Sequence, residues 1–285
     1  MIKNIDAVVV LYHPDESIIE NIKTYQQVRT IYAIDNSEEY NDNLLKKLKQ
    51  FENLIYINNK GNQGIAHALN VGAKLAIENS ADWLLTMDQD SRFIENSLEI
   101  LIAWIKNNDT SKIGIVSPYH LTKNKANVYE KENKIIDELT VMTSGNLLNL
   151  EAFDNVGKFE EKYFIDYVDH EYCLRLRRNG YSIKVHKNSI LLHSLGDVSF
   201  HYLFGRKIVC TNHNYIRRYY ITRNRLNVMV KYFTSYPLFC IKEVKALVFE
   251  WIKIVLFEKD KIKKQKSIFL GIKDFLFGNY GKYNV

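Results

Sequence analysis

The feature that most constrains this chain is a regular alternation of strand and helix signals over its first 120 residues. Short apolar runs typical of buried strands occupy residues 7–11, 30–34, 54–57, 83–87 and 113–116, and segments with helical apolar spacing lie between them at residues 16–27, 43–51, 65–78 and 98–106. Strands that alternate with helices are joined by crossovers and pair in parallel. The sequence therefore predicts an α/β fold, with a mainly parallel central sheet flanked by helices.

Polar residues follow the predicted strands at the point where each strand ends. Asp35, Asn36 and Ser37 follow the second strand, and Asp88 and Asp90 follow the fourth. The carboxyl ends of parallel strands meet at one edge of the sheet, which is where open α/β sheets bind their ligands. We therefore expect these side chains to line one binding site.

The loop after the third strand, residues 58–64, contains Gly61 and Gly64, so its backbone can approach a phosphate closely. Two glycine patterns that define other nucleotide-binding folds are missing from the sequence. No G-x-G-x-x-G follows the first strand, and no G-x-x-x-x-G-K-[ST] occurs anywhere. NAD-dependent and P-loop chemistry are therefore disfavoured.

The D-x-D pair formed by Asp88 and Asp90 has the chemistry of a metal site. Two carboxylates held at the end of a buried strand can coordinate Mg²⁺ or Mn²⁺, which prefer oxygen ligands and bind diphosphates. The alternative is a solvated turn that caps the following segment. The position directly after a strand favours the metal site.

A second acidic cluster opens a predicted helix. Val168 and the apolar positions four and eight residues later share one helical face, and an Asn-Gly pair ends the helix. Asp169 lies at the entrance, where it can act as a general base, and neighbouring carboxylates are expected to raise its proton affinity. The alternative is that Asp169 only caps the helix while Glu171 pairs with Arg175 on the surface.

Charge is distributed unevenly along the chain. Residues 1–200 carry 22 Lys and Arg against 28 Asp and Glu, whereas residues 201–285 carry 17 against 5, a net charge of +12. Three stretches of the basic part, residues 215–232, 238–257 and 262–277, have amphipathic helical spacing. We expect these helices to contact an anionic membrane surface. The alternative is that they pack on the catalytic domain or on a second subunit of a homodimer.

Nucleic acid is not an expected partner, because no nucleic-acid-binding motif accompanies the arginines and aromatic residues of the basic part. The three cysteines are far apart and form no C-x-x-C pair, which argues against a zinc site or a disulfide framework. No uncharged apolar stretch of about 18 residues occurs. We expect a cytoplasmic protein with, at most, peripheral contact at the inner face of the cell membrane.

Taken together, these motifs resemble glycosyltransferase family 2, the inverting enzymes of the GT-A fold, and specifically its rhamnosyltransferase-like branch. The resemblance extends over roughly residues 5–230. It rests on the order of the segments AVVVLYHPD (7–15), IDNS (34–37), NQGIAHALNVG (62–72), MDQDS (87–91), TSGNLL (143–148), FIDYVDHEYCLRLRRNGY (164–181), LLH (191–193) and YYITRNR (219–225).

The resemblance implies a donor site at the strand ends. Asp35 would bind the pyrimidine base or its ribose, and Asn36 and Ser37 would shape the pocket. Asn62 and Gly64 would border the nucleotide.

The same resemblance implies the metal centre. Asp88 would face the ribose and the donor sugar, Asp90 would be the principal metal ligand, and His193 would add a further metal contact. Ser144 and Gly145 would lie near the donor sugar. For His193 the alternative is a buried histidine satisfied by a backbone partner.

The resemblance also makes Asp169 the catalytic base, although many relatives have Glu-Asp where Val168 and Asp169 stand here. Arg223 and Arg225 match a basic segment that would approach the diphosphate, the alternative being a solvated helix face. The implied reaction transfers a sugar with inversion to a hydroxyl of a saccharide or lipid-linked acceptor in bacterial surface polysaccharide synthesis. L-Rhamnose from deoxythymidine diphosphate rhamnose is the expected donor sugar, with a UDP-sugar as the alternative.

The expected domain organisation is a GT-A catalytic domain at residues 1–205 and a basic helical extension at residues 206–285. Within the first, residues 1–120 would form the nucleotide-binding half and residues 121–205 the acceptor-side half. Two other functions stay open. A nucleotidyltransferase acting on a sugar phosphate is disfavoured by the missing glycine-rich loop, and a non-catalytic membrane-docked scaffold is disfavoured by the intact acidic motifs.

Overall fold

The computed structural model describes residues 4–39, 41–122, 129–193, 198–203 and 205–283. The chain forms two compact units. Unit 1 comprises Met1–Glu160 and Tyr172–Ser194, and unit 2 comprises Glu161–Glu171 and Leu195–Val285. The sequence predicts one division, after residue 205, with everything before it in the first domain. In the structure, residues 161–171 belong instead to unit 2.

Unit 1 contains the alternating strands and helices that the sequence predicts. The strands are β1 (Ile5–Leu11), β2 (Ile31–Asp35), β3 (Leu54–Asn58), β4 (Trp83–Asp88), β5 (Arg92–Phe93), β6 (Ile113–Thr122), β7 (Ile135–Asp137), β8 (Asn146–Asn149) and β9 (Ser182–His193). The helices are α1 (Ser17–Lys23), α2 (Asp42–Leu48), α3 (Ile65–Glu78), α4 (Ser97–Asn107) and α5 (Leu150–Val156). A further helix, α6 (Val168–Arg178), begins in unit 2 and ends in unit 1.

The strands of unit 1 form one sheet in the order β3-β2-β1-β4-β8-β6-β9-β5, with β7 paired to β9. The run from β3 to β4 is parallel, as is the pair of β6 and β9, whereas β8 is antiparallel to both of its neighbours. The predicted α/β fold with a parallel central sheet is confirmed. The antiparallel strand β8 was not predicted from the sequence.

Helix α3 packs directly against the central strand β1, because small residues line its inner face. Ala66, Ala68 and Ala73 are fully buried. At Gly72 an added Cβ would lie 2.3 Å from Cγ2 of Val8, so a larger residue would push the helix away from the sheet. This close packing fixes the first turn of α3 beside the carboxyl ends of the parallel strands.

Unit 2 is built from a β-hairpin and three helices, with residues 161–171 added to them. The hairpin pairs β10 (Ser199–Leu203) with β11 (Arg206–Cys210), and the helices are α7 (Tyr215–Tyr232), α8 (Pro237–Leu256) and α9 (Lys261–Phe277). The three helices match the predicted segments to within one residue at each end. The hairpin was not predicted. None of the helices in the described part of the chain combines the length and the apolar composition needed to cross a bilayer.

Candidate functional site

The candidate metal group lies in unit 1, at the ends of β4 and β9. Asp88 is the last residue of β4, Asp90 follows two residues later, and His193 is the last residue of β9. One potential ligand atom from each of these residues lies within 4.8 Å of the other two. The sheet thus brings together two motifs that are more than 100 residues apart in the sequence.

The imidazole of His193 faces the acidic turn. Its Nδ1 lies 3.6 Å from Oδ1 of Asp90 and 3.0 Å from the hydroxyl of Ser91. The side chain is 20% exposed, so the alternative of a buried histidine held by a backbone partner does not describe it. Ser91 is fully buried and orients the ring, a role that sequence reasoning missed.

The donor set fits a divalent cation. Two carboxylates and one imidazole supply hard oxygen ligands and one nitrogen ligand. Mn²⁺ accepts both kinds of ligand, whereas Mg²⁺ binds chiefly to the oxygens. The side chain of Asp90 is 47% exposed, which leaves room at the group for oxygens of a substrate. The three residues can therefore hold a divalent ion that also contacts a diphosphate.

The residue between the two aspartates, Gln89, fixes the turn that carries them. Its side-chain amide accepts a hydrogen bond from the backbone N–H of Tyr12 at 2.8 Å and donates one to the carbonyl of the same residue at 3.1 Å. Its own carbonyl accepts from the side chain of Asn21 at 2.7 Å. Sequence reasoning treated Gln89 as a spacer, although a polar amide between two carboxylates was a visible signal.

Ser144 and Gly145 lie directly behind Asp88. The hydroxyl of Ser144 accepts the backbone N–H of Asp88 at 3.0 Å, and Gly145 donates its N–H to the carbonyl of Thr86 at 2.7 Å. Gly145 has a φ of +81°, and a Cβ there would lie 2.8 Å from Leu191. The turn therefore requires glycine and supports the metal group from the side of β8.

The strand register explains why the predicted donor residues share one edge. Asp35 of β2 pairs with Leu11 of β1, and Asp88 of β4 pairs with the adjacent Val10. Asn58, at the end of β3, pairs with Asp35. The three loops that follow β2, β3 and β4 therefore leave the sheet at the same level, as the sequence predicted.

Asp35 is buried and held from two sides. Its carboxylate accepts the backbone N–H of Ser37 at 2.8 Å and the hydroxyl of Tyr56 at 2.6 Å. Ser37 in turn accepts the backbone N–H of His13 at 2.7 Å through its hydroxyl. The carboxylate is thus fixed in orientation at the end of β2.

Asn36 links the second loop to the third. Its side chain donates to the carbonyl of Gly64 at 3.1 Å and accepts from Asn59 at 2.9 Å. Asn62 closes the turn before α3 by accepting the N–H of Gly64 at 3.0 Å. Gly64 has a φ of +90°, so this entry to α3 also favours glycine.

Asp169 lies in unit 2, in the first turn of α6. Its carboxylate accepts the backbone N–H of His170 at 2.8 Å and lies 2.9 Å from Nδ1 of the same residue. Burial by itself raises the pKa of Asp169, but the charge and hydrogen bonds of His170 outweigh burial and hold the pKa below its ordinary value. The expectation that neighbouring carboxylates raise this pKa is wrong, because the nearest charged partner is a cation.

The neighbouring groups show the reverse shifts. Burial raises the pKa of Asp166, and the charge of Asp169 adds to that effect, although Arg217 binds the Asp166 carboxylate at 3.0 Å. Burial lowers the pKa of His170, but Asp169 and Glu243 together raise it above its ordinary value. Asp169 is therefore an ionised carboxylate at neutral pH, and its charge favours the protonated form of the adjacent imidazole.

Glu171 is not the surface residue that the capping alternative predicted. Its side chain is fully buried and accepts hydrogen bonds from Nζ of Lys231 and the hydroxyl of Tyr232, both at 2.8 Å. Both partners lie at the end of α7, 60 residues along the chain, which a local i, i+4 argument does not reach.

Arg223 and Arg225 are buried in unit 2, so the alternative of a solvated helix face is wrong. The guanidinium of Arg223 donates to the carbonyls of Lys162, Tyr163 and Gly281. That of Arg225 pairs with Glu250 at 2.8 Å and Glu243 at 3.1 Å. These contacts favour a structural role within unit 2 over contact with a diphosphate.

Known proteins resemble this chain in sequence. The model of the family "Glycosyl transferase family 2" matches residues 16–173. The chain is 29% identical to the dTDP-rhamnosyl transferase RfbF of Shigella flexneri, in an alignment of 306 residues that covers all of both chains.

Three solved structures share the fold at 14% identity. For S. aureus TarS the TM-score is 0.59, and the match covers 96% of this chain and 49% of the TarS chain. For the TarS fragment 1–349 the TM-score is 0.54, and the match covers 99% of this chain and 94% of the fragment. GalNAc-T7, solved with UDP, GalNAc and Mn²⁺, has 0.55 over 71% and 44%. The chain therefore spans about half the length of TarS and somewhat less of GalNAc-T7.

The family match covers more than half of the chain and includes the D-x-D turn, and the alignment with the Shigella relative leaves no part of either chain uncovered. The structural neighbours share the fold. The protein belongs to glycosyltransferase family 2, with a GT-A fold, and is a glycosyltransferase.

Proposed function

We propose that the protein transfers L-rhamnose from deoxythymidine diphosphate rhamnose to an acceptor hydroxyl, with inversion at the anomeric carbon, during synthesis of a bacterial surface polysaccharide. The observation that carries this proposal is the group of Asp88, Asp90 and His193 at the carboxyl edge of the sheet. The full-length alignment with a protein named as a dTDP-rhamnosyl transferase supports the choice of donor.

The donor would bind along the strand ends of unit 1. Asp35 is held by Ser37 and Tyr56, so its carboxylate can accept a hydrogen from the pyrimidine base or the ribose without rearranging. The fixed turn at Asn62 and Gly64 would border the nucleotide. A carboxylate that is already oriented loses little entropy on binding, which favours affinity.

The metal group would hold Mg²⁺ or Mn²⁺. When bound, such an ion neutralises the charge that develops on the departing nucleoside diphosphate. Asp88 and Asp90 hold their positions through the backbone contacts of Ser144 and Gln89. Because the turn is fixed before substrate arrives, its ligands need not reorganise during the reaction.

Asp169 would act as the general base. It accepts the proton of the acceptor hydroxyl while the hydroxyl oxygen forms a bond to the anomeric carbon. The bond from that carbon to the diphosphate oxygen breaks, and the nucleoside diphosphate leaves from the opposite face. The lowered pKa of Asp169 leaves the carboxylate unprotonated, the form that a general base requires, although it also makes the carboxylate a weaker base.

The acceptor would be a saccharide hydroxyl, free or lipid-linked. A panel of nucleotide sugars offered with both acceptor types, with Mg²⁺, Mn²⁺ or a chelator, tests the whole proposal. We expect release of deoxythymidine diphosphate from its rhamnose donor, dependent on metal and on acceptor. Release of pyrophosphate would instead identify a nucleotidyltransferase, and no turnover with any donor would leave the scaffold alternative.

The variant Asp169→Asn tests the base. General-base catalysis contributes about 10²- to 10⁴-fold, so turnover should fall by that factor while donor affinity, measured by calorimetry, stays within about twofold. Asp154→Asn is the matched control, since Asp154 is an exposed acid outside the candidate site. Equal turnover in Asp169→Asn and wild type would remove Asp169 from the mechanism.

A further inference from the structure

Helix α8 carries a broad apolar face that is exposed to solvent. Seven of its apolar residues are between 46% and 73% exposed: Leu238, Ile241, Val244, Val248, Phe249, Trp251 and Leu256. At 100° per residue they fall within an arc of about 160°. The opposite side of the helix packs into unit 2 through Phe239, Cys240 and Ile254. The exposed face is therefore a surface feature and not part of the core.

The two acidic residues of α8 turn away from this face. Glu243 pairs with Arg225 at 3.1 Å and is 15% exposed, and Glu250 pairs with the same arginine at 2.8 Å and is 27% exposed. Two lysines of the helix, Lys242 and Lys245, are exposed. By helical angle Lys242 lies about 20° beyond one end of the apolar arc, and Lys245 lies within it. The outer face of α8 is thus apolar and basic.

The same separation of charges extends through unit 2. Of the five acidic residues in the basic part of the chain, Glu258 is fully buried with Arg218 and Lys264, and Asp274 binds the hydroxyl of Tyr219. Only Asp260 among these five is exposed. In contrast, helix α9 presents exposed lysines at 261, 263, 266 and 273. The exposed charge on these helices is therefore mostly positive, because four of the five acidic residues are engaged by partners inside unit 2.

We propose that the outer face of α8 docks on an anionic lipid bilayer, with the helix lying in the plane of the membrane. The apolar residues, Trp251 and Phe249 among them, would enter the interface, and the lysines would contact anionic headgroups. The 20-residue helix is about 30 Å long, so the contact extends over several headgroups.

Charge decides between a bilayer and a second copy of this face. A two-fold contact would place the same apolar and basic surface on both sides, with no exposed acidic residue of α8 to offset the lysines. Anionic lipid supplies the missing negative charge, and each basic residue near such a surface strengthens binding by about fivefold. The proposal does not depend on which sugar the enzyme transfers.

Binding to vesicles of phosphatidylcholine with and without phosphatidylglycerol tests this proposal on the full-length protein. We expect flotation with the anionic vesicles only, weakened by salt. Trp251 is 46% exposed, whereas Trp83 is buried and Trp104 is partly buried in unit 1, so a blue shift of the emission on binding should come from Trp251. In Trp251→Phe that shift should be lost while flotation persists.

Two double variants separate the contributions. Lys242→Glu with Lys245→Glu should weaken vesicle binding by at least about 30-fold, since two attractive charges are lost. Phe249→Ser with Trp251→Ser should weaken it by about tenfold or more through lost apolar burial. Ile55→Ser is the matched control, because Ile55 is an exposed apolar residue, 49% exposed, on β3 of unit 1. All variants should keep wild-type circular dichroism and wild-type turnover with a soluble acceptor.

Two outcomes would overturn the proposal. One is vesicle binding by both double variants at wild-type strength. The other is a dimer, detected by light scattering, that becomes monomeric in Phe249→Ser with Trp251→Ser, since the face would then be a subunit contact.

Discussion

Acidic side chains occupy two different settings in the two units. In unit 1, Asp88 and Asp90 stand where a strand ends, and the side chain of Asp90 is 47% exposed beside His193. In unit 2, Glu258 is fully buried between helices, with Arg218 and Lys264 each at 2.8 Å. A carboxylate at the end of a strand can thus be presented to a ligand, whereas a carboxylate between packed helices is paired with buried cations. The position of an acidic residue in the backbone, and not its residue type, therefore decides whether it can bind a ligand or only stabilises the fold.

The largest contrast is expected at Asp90. Asp90→Asn removes a charged ligand from the candidate metal group, so turnover should fall by about 10³-fold. The free energy of unfolding should change by less than about 1 kcal/mol, because the side chain is exposed. Metal-dependent donor binding and urea denaturation measure the two effects. The exposed neighbour Glu95→Gln is the control, and a large loss of stability in Asp90→Asn would erase the distinction between the units.

The reverse result is expected at Glu258. Glu258→Gln leaves Arg218 and Lys264 as buried cations without their shared counter-ion, which should destabilise the protein by about 3 kcal/mol. Turnover per folded molecule should stay unchanged at a temperature well below the midpoint of unfolding. Asp260→Asn alters an exposed acid two residues away and should change the free energy of unfolding by less than about 0.5 kcal/mol. Equal stabilities of the two variants would contradict the role of the buried cluster.

Asp169 sharpens the comparison, because it lies in unit 2 and is nevertheless proposed to react. Its base form is required, so activity falls when pH drops through its pKa, and the lowered pKa keeps the enzyme active to lower pH. In His170→Gln the cation is lost and burial dominates, so the pKa of Asp169 rises. The acidic limb of kcat/KM should therefore move to higher pH, with only a few-fold loss at neutral pH.

His170→Lys provides the control for that shift. It retains a positive charge beside Asp169, so its acidic limb should stay closer to that of the wild-type enzyme. An unchanged limb in His170→Gln would show that His170 does not set the protonation of the base.

The sequence indicated the strand-end site well but not the interior of unit 2. The alternation of strands and loops is a local signal, and it predicts Asp35 and Asp88 at one edge of a parallel sheet, where the observed register places them. Helix α7 was also predicted to the residue, because its amphipathic spacing is a local signal; the structure adds a cap in which the side chain of Asn214 accepts the backbone N–H of Arg217.

Long-range partners explain what the sequence did not show. Glu171 is buried because Lys231 and Tyr232 reach it from 60 residues away, and Arg223 is buried because backbone carbonyls of residues 162 and 163 accept its hydrogens. The strand β8 has only four residues and pairs antiparallel within an otherwise parallel region, so no periodic signal marks it. When the partners of a charged residue are far away in the sequence, local sequence patterns predict that the residue is exposed to solvent.

The amide of Gln89 has a consequence for engineering the metal preference of this enzyme. It joins the acidic turn to the main chain of Tyr12, directly after β1, so the turn is held at the end of the first strand. If Asp88 or Asp90 is replaced by another metal ligand, the turn should keep its position only while a side-chain amide as long as that of Gln89 stands between them. The variant Gln89→Asn would break the hydrogen bonds to Tyr12 and leave all three candidate metal ligands in place. Its metal affinity would show how much the rigidity of the turn contributes, apart from the chemistry of the ligands.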